Sequence, residues 1–451
     1  MNIVIIGLGT TGRNVLKRLS FEEHTITIID ENKPKVEELI EKYDVMGVIG
    51  NGASLDIQRE AGVKDANLVI ALTRNDELNI FACLVAKFLG CSNTVARVRN
   101  PDYRNQIAVM KDDLGISMIV NPEKETAREI LNLINLPSAA RVEYFANGKA
   151  ILVETVVSKD SLLAGESLFS LGQKLSSNVL ICAVQREDKI FIPSGNFVIQ
   201  EGDMIHFTSD IRNLNDFLRE TNLMKSPLKN IMIVGGGRIG YYLADALSGK
   251  KYSVKLIEKN LDKAKALAQS LPNISVCCGN GTSHDFLLEQ GIESADAFVA
   301  LTDIDEENIV VSMFANKKKV KKTISQIKNE ELLDIYDELG IKNNVLSKHI
   351  VAERITGYVR ALENSRGSNI LTLYLLVNNQ VEALEFSAKK PSRIYDKPLK
   401  DLHIKKDCLI GCIIRNNEVI IPHGNSEIKQ GDNVVVVTTH KNFDDLMDAF
   451  E

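Results

Sequence analysis

The chain has 451 residues, enough for two to four domains that each bury a core. Its 44% hydrophobic and 25% charged composition is that of a globular protein. No run approaches the roughly 18 apolar residues of a membrane span, and a formal charge of −6 argues against a nucleic-acid binder, which needs a basic face.

From the N-terminus, apolar runs alternate with amphipathic stretches. A strand beginning at Asn2 leaves no room for a signal peptide, so a cytoplasmic protein is expected. "NIVIIG", "TITIID", "VMGVIG", "NLVIALT", "TVARV" and "SMIVNP" read as strands, with helices such as "PKVEELIEKY" and "ELNIFACLVAKFL" between them. Continuous apolar strands separated by helices predict a parallel, doubly wound sheet. "NPEKETAREILNLINL" follows as a linking helix, with Asn121 as N-cap, Pro122 in its first turn and a stripe of Ala127, Ile130, Leu131 and Ile134. The stripe fits a core face and a dimer contact equally well. From 142 to about 220, short strands, Gly-Asp and Asn-Asn turn signals and brief helical stretches predict a small α+β module. "TNLMKSPLKN" at 221–230, with a Pro and mixed polar residues, marks a domain boundary.

Beyond that boundary the chain repeats itself. "IVIIGLGTTG" at 3–12 returns as "IMIVGGGRIG" at 231–240, a shift of 228 residues. "GNGASLD" at 50–56 returns as "GNGTSHD" at 279–285, and "LVIALTRNDELNI" at 68–80 as "AFVALTDIDEENI" at 297–309, each shifted by 229. "KIFIPSGN" with "EGD" at 201–203 returns as "VIIPHGN" with "QGD" at 430–432. The expected fold class is therefore α/β: a tandem duplication of a Rossmann-like doubly wound domain, each copy followed by a small α+β domain. The expected domains are 1–141, 142–222, 228–366 and 367–451. The second linking helix begins at Ser347 and carries Ile350, Val351, Ile355 and Val359. The basic run at Lys317 to Lys322 reads as a solvated helix end leading into the next strand. Seven cysteines without CxxC spacing argue against a disulfide framework, and Cys408 and Cys412 in "CLIGCII" read as small core residues.

Each copy carries a candidate nucleotide site. Gly7 permits a tight turn after the first strand, Gly9 lets a pyrophosphate approach the backbone, and Gly12 lets the following helix pack close. The helix start at Thr10 and Thr11 then presents its free amides. Gly235, Gly237, Arg238, Ile239 and Gly240 repeat the arrangement. An acid ends the second strand 18 residues past the third glycine in both copies, Asp30 and Glu258. A carboxylate there accepts from both ribose hydroxyls and repels a 2′-phosphate, so NAD is expected over NADP. Asn51 and Asn280 lie where adenine or its ribose would sit, with a structural role in the GNG turn as the alternative. Thr73 and Thr302 end the fourth strand at the crevice, where they either touch the ligand or share in capping the next helix with Asn75 or Asp76. Arg99 and its match Lys328 would pair with a phosphate or with an acid across a subunit interface, with a solvated side chain as the alternative. The copies differ at Arg238, at Arg13 against Tyr241 and at Arg97 against Gln326, so the two sites are expected to be unequal.

A dehydrogenase also needs a proton donor or acceptor beside the nicotinamide ring. The seven histidines show no HExxH or paired metal spacing, and His284, near a nucleotide loop, is matched by Leu55 in the first copy. GxSxG and Walker signatures are missing as well. No catalytic residue and no metal site is assigned.

"GLGTTG" with Asp30, "GNGAS", "LVIALTRNDELN" and "VARVRNP" resemble the RCK (regulator of potassium conductance) nucleotide-binding domain, and "FIPSGN" with "EGD" resembles the small RCK C-terminal module. Two such pairs in tandem resemble the TrkA family of peripheral subunits of Trk-type potassium-uptake systems. The resemblance covers essentially the whole chain. It implies a non-enzymatic regulatory subunit that binds NAD(H), with ATP or ADP as competing ligands. It also implies a homo-oligomeric ring, a tetramer, beneath a potassium-translocating membrane protein whose flux the ring gates. The alternatives are an NAD-dependent oxidoreductase on duplicated Rossmann domains and a regulator of a potassium efflux antiporter.

Overall fold

The computed structural model describes residues 1–22, 24–100, 103, 114–136, 141–145, 150–187, 189–223, 228–249, 251–341, 343–364, 370–376, 380–388, 392–416, 418–440, 443 and 445–451. The first repeat opens with β1 (Asn2–Ile6), α1 (Thr10–Leu19), β2 (Thr25–Asp30), α2 (Lys33–Tyr43), β3 (Met46–Ile49) and α3 (Leu55–Glu60). It continues with β4 (Leu68–Ala71), α4 (Asp76–Phe88), β5 (Asn93–Arg97), β6 (Met118–Val120) and the linking helix α5 (Pro122–Asn135). All neighbouring strands run parallel in the order β3-β2-β1-β4-β5-β6. The order reverses between β1 and β4, which opens a crevice at the strands' C-terminal ends. Local chemistry sets the helix starts. Asn32 accepts from the Lys35 amide ahead of Pro34, Asn75 from the Leu78 amide at 2.6 Å, and Asn121 from the Lys124 amide at 2.8 Å.

The first small module holds β7 (Arg141–Phe145), β8 (Ala150–Val156), α6 (Leu168–Lys174), β9 (Leu180–Arg186), β10 (Lys189–Phe191), β11 (Met204–Asp210) and α7 (Ile211–Glu220). Its strands form an antiparallel sheet in the order β10-β9-β11-β8-β7.

The second repeat reproduces the first. β12 (Asn230–Val234), α8 (Arg238–Leu247), β13 (Ser253–Glu258), α9 (Leu261–Ser270), β14 (Ser275–Cys278), α10 (His284–Glu289), β15 (Ala297–Ala300), α11 (Asp305–Lys317), β16 (Lys322–Gln326), α12 (Leu333–Glu338) and β17 (Asn343–Val345) precede the linking helix α13 (Ser347–Asn364). The sheet order β14-β13-β12-β15-β16-β17 matches that of the first copy. The second small module contains β18 (Ile370–Leu376), β19 (Val381–Ser387), β20 (Cys408–Arg415), β21 (Glu418–Ile420) and β22 (Asn433–Thr438), in the order β18-β19-β22-β20-β21.

Two compact units result. The Rossmann-like sheets share residues 1–131 and 228–359, and the small modules share 132–227 and 360–451. In the second unit, Ala150, Leu152 and Cys182 of one module share a buried cluster with Ala383, Cys412 and Val435 of the other, and the Thr208 hydroxyl donates to the Gly411 carbonyl at 2.7 Å. Cys408 and Cys412 are core residues as expected, and burial pushes both thiols up from their ordinary pKa. The linking-helix residues Ala127, Ile130, Ile134, Val351, Ile355 and Val359 are buried within the chain, while Leu131 and Ile350 stay half-buried.

Candidate nucleotide sites

In the first crevice Gly7 takes a left-handed φ of 92°, and a Cβ there would sit 2.7 Å from the Thr73 amide nitrogen. A Cβ on Gly12 would sit 2.0 Å from the Gly7 carbonyl oxygen. Only glycines let β1, α1 and the end of β4 come this close. Gly9 is the N-cap of α1, extended and without a side chain to satisfy the first amides, so Thr10 and Thr11 begin the helix with no side-chain cap on their amides. Asp30 closes the far side: it accepts from the Leu8 amide at 2.7 Å and the Asn32 amide at 2.9 Å. Its carboxylate is therefore held in one orientation by the backbone.

The second crevice is the same with one exchange. Gly235 has a φ of 109° against the Leu301 carbonyl, Gly240 packs on Gly235, and Gly237 caps α8 at Arg238 and Ile239. Glu258 is one methylene longer than Asp30 yet accepts from the equivalent amides, Gly236 at 3.1 Å and Asn260 at 2.9 Å, with Lys263 at 3.5 Å. The extra length is accommodated because Leu8 is replaced by Gly236, where a Cβ would stand 2.8 Å from Glu258 Oε2. Glu258 is only 7% exposed, whereas Asp30 is half-buried.

Asn51 and Asn280 close their turns by accepting from the Ala53 amide at 2.9 Å and the Thr282 amide at 3.0 Å. Thr73 and Thr302 are organised by two residues the sequence reading passed over. Asn79 accepts from the Thr73 amide at 2.8 Å and hydroxyl at 2.7 Å, and donates to the Arg97 carbonyl at 2.9 Å. Asn308 accepts from the Thr302 amide at 2.9 Å and donates to the Gln326 carbonyl at 3.2 Å. The available signal was an Asn at the same place in both "DELNI" and "DEENI", inside a helix where its side chain otherwise competes with the backbone.

Arg97 is 8% exposed, bonded to the Thr73 carbonyl, and burial, with the repulsion of Arg99, pulls its pKa down to about 10. Arg99 donates to the Arg74 carbonyl at 2.7 Å and lies 3.7 Å from Asp76, whose carboxylate also accepts from the Arg99 and Asn100 amides. Lys328 pairs with Asp303 at 2.9 Å, and Asp305 accepts from the Lys328 and Asn329 amides. Both cations thus fold onto acids of their own copy.

The two copies meet through these loops. Arg238, in the second phosphate loop, lies 3.8 Å from Glu123 on α5, and the Tyr242 hydroxyl accepts from Asn121 at 3.2 Å and donates to the Arg99 carbonyl at 3.3 Å. On the other side Arg18 of α1 pairs with Glu353 of α13 at 3.0 Å. Arg13 turns instead to Glu38 at 3.3 Å. His284 is exposed and stacks on Phe314 with ring centroids 4.0 Å apart. Among the described residues no group of three or more His, Cys, Asp or Glu could hold a metal ion.

The TrkA-N domain model matches residues 3–122 and 231–348, and the TrkA-C domain model matches 152–222 and 383–451. The chain belongs to the TrkA family. The Trk system potassium uptake protein TrkA of Vibrio alginolyticus is 32% identical over 450 residues, covering 98% of this chain and 97% of that protein. A TrkA homologue of Archaeoglobus fulgidus is 29% identical over the whole of both chains. Among solved structures, the GsuK channel bound to NAD matches 98% of this TrkA-family chain and 77% of its own, with a TM-score of 0.63 at 18% identity. The human SLO3 gating ring matches 97% and 99% with a TM-score of 0.50 at 13% identity. The fold of the whole TrkA-family chain is thus that of a paired RCK assembly.

Proposed function

We propose that this TrkA-family chain is a non-enzymatic regulatory subunit whose crevices bind NAD(H) and, in competition, ATP or ADP, and whose ligand-dependent shape gates potassium flux through a membrane-embedded Trk-type partner. Two phosphate loops with unequal acids, the second lying through Arg238 against Glu123 of the first copy's linking helix, carry this reading. A nucleotide changes shape only if it binds one arrangement better than another, and phosphates drawing Arg238 away from Glu123 give it that preference. The ligand contacts are the backbone at Gly7, Gly9, Thr10, Thr11, Gly12, Gly235, Gly237, Ile239 and Gly240, the acids Asp30 and Glu258, the polar groups of Asn51, Thr73, Asn280 and Thr302, and the cations Arg99, Arg238 and Lys328. The carboxylates select NAD over NADP. The GsuK structure with NAD supports the nucleotide assignment by analogy of fold.

A homo-oligomeric ring, a tetramer, is the assembly, held peripherally at the cytoplasmic face of the membrane through its partner. α4 and α11 each expose apolar residues, Phe81 and Phe88 on one, Val310 and Met313 on the other, which suit contacts between copies. No described helix is long and apolar enough to cross a membrane. The test is potassium flux through the co-reconstituted partner, with and without this chain and each nucleotide. Nucleotide-dependent flux is expected; steady consumption of NADH with a small substrate and no effect on flux would establish the oxidoreductase instead.

A further inference from the structure

The lysines at 317–321 belong to a larger feature of the fold. The N-terminal ends of β13, β12, β15 and β16 lie side by side on the edge of the second Rossmann-like sheet, opposite the crevice. The segments entering these strands place Lys229, Lys251, Lys317, Lys319 and Lys321 there, all exposed, with Lys318 half-buried. Backbone bonds hold the segments together: Ser253 donates to the Lys229 carbonyl at 2.8 Å, and Lys322 to the Asp296 carbonyl at 3.1 Å. Two acids lie among them, Glu293 pairing with Lys318 at 2.7 Å and Asp296 with Lys321 at 2.7 Å. The edge stays strongly cationic in a chain whose net charge is −6.

The duplication supplies an internal comparison. At the places of Lys229, Lys317, Lys318, Lys319 and Lys321 the first copy has Met1, Phe88, Leu89, Gly90 and Ser92. Lys319 takes a left-handed φ of 60°, where Gly90 takes 104°. The second copy thus keeps a lysine on backbone that disfavours any side chain. Folding needs none of these charges there, since the first copy forms the same edge without them.

We propose that this lysine edge is a contact surface for anionic phospholipid headgroups. Exposed ammonium groups on flexible stems, spread over three neighbouring segments, match a plane of mobile phosphates. They do not form the closed pocket that a single anion requires. An acidic protein surface is the less favoured occupant, because the cytoplasmic loops of a membrane partner carry an excess of Lys and Arg and repel this edge. The contact goes beyond the nucleotide reading and is independent of what fills the crevices.

The test is flotation of the purified full chain with vesicles of phosphatidylcholine alone or in a two-to-one mixture with phosphatidylglycerol. The chain should float with the mixed vesicles only, and less at high salt. Each lysine near such a surface contributes about fivefold to binding, so Lys251→Gln, Lys317→Gln and Lys321→Gln combined should weaken it about a hundredfold. The charge-matched set Lys33→Gln, Lys35→Gln and Lys42→Gln on α2 should leave it nearly unchanged. Unaltered thermal melting of both variants shows that they fold. Equal behaviour with both vesicle types, an equal loss in the α2 variant, or undiminished flotation of the edge variant overturns the proposal. So does binding to soluble polyglutamate without binding to the mixed vesicles.

Discussion

Asp30 and Glu258 reach the same pair of backbone amides with side chains of different length, and the residue that reconciles them is Gly236. Gly236→Ala should therefore drive a Cβ into Glu258 and Leu267 and cost about 1–3 kcal/mol, as overpacking does. The check is thermal unfolding beside Glu258→Asp with Gly236→Leu, which rebuilds the first copy's pairing and should recover most of the loss. At the first crevice, removing a charged acceptor for the ribose in Asp30→Ala should weaken NADH by roughly 10- to 100-fold, the equivalent of a charge-assisted hydrogen bond. Isothermal titration reads this directly, and an unchanged affinity removes the ribose-anchor assignment. The acids were legible because their distance from the glycines follows from strand and helix lengths. The Gly236 exchange was not, since a glycine among glycines shows its purpose only once Glu258 is seen beside it.

At the scale of elements, the repeated "EGD" and "QGD" turn out to be structural. Asp203 and Asp432 are each 1% exposed, and each takes a two-point contact from an arginine on a neighbouring strand, Arg186 at 2.7 and 2.8 Å and Arg415 at 2.9 and 2.8 Å. Each also accepts a backbone amide, from Gln200 and Lys429. Arg186 is partly exposed while Asp203 is buried, so losing this charge-assisted contact costs about 1–3 kcal/mol, and Arg186→Ala should lower the urea midpoint of unfolding without altering NADH affinity. An unchanged midpoint would mean that water reaches Asp203. Strands, helices and their order were readable from periodicity, because the central Rossmann-like strands are buried on both faces and the longer helices on one. The hydrogen bonds from Asn79 and Asn308 were not readable in advance. They join residues on different elements, and only the fold brings Thr73 beside Arg97.

Across the whole molecule, the duplication fixed both the architecture and its asymmetry. Sequence comparison of the halves exposed Arg238 as a departure; the structure adds that it lies beside Glu123 on the linking helix of the other copy. Such cross-copy contacts have no local signature in a sequence. On the proposed function they couple the two crevices, and Tyr242→Phe, which removes the hydroxyl bridging Asn121 and the Arg99 carbonyl, should reduce that coupling. Typical couplings of about 1–3 kcal/mol correspond to a 5- to 150-fold effect of one ligand on another. NADH titrations with and without saturating ATP should show that effect in the native chain and a smaller one in the variant. The central claim, that nucleotide occupancy is transmitted to potassium flux, is tested most directly in proteoliposomes holding the membrane partner and either native chain or Asp30→Ala. The account predicts that flux follows NADH concentration with native chain and that the midpoint moves to about 10-fold or higher NADH in the variant. Identical midpoints, or flux indifferent to NADH in both, would contradict it.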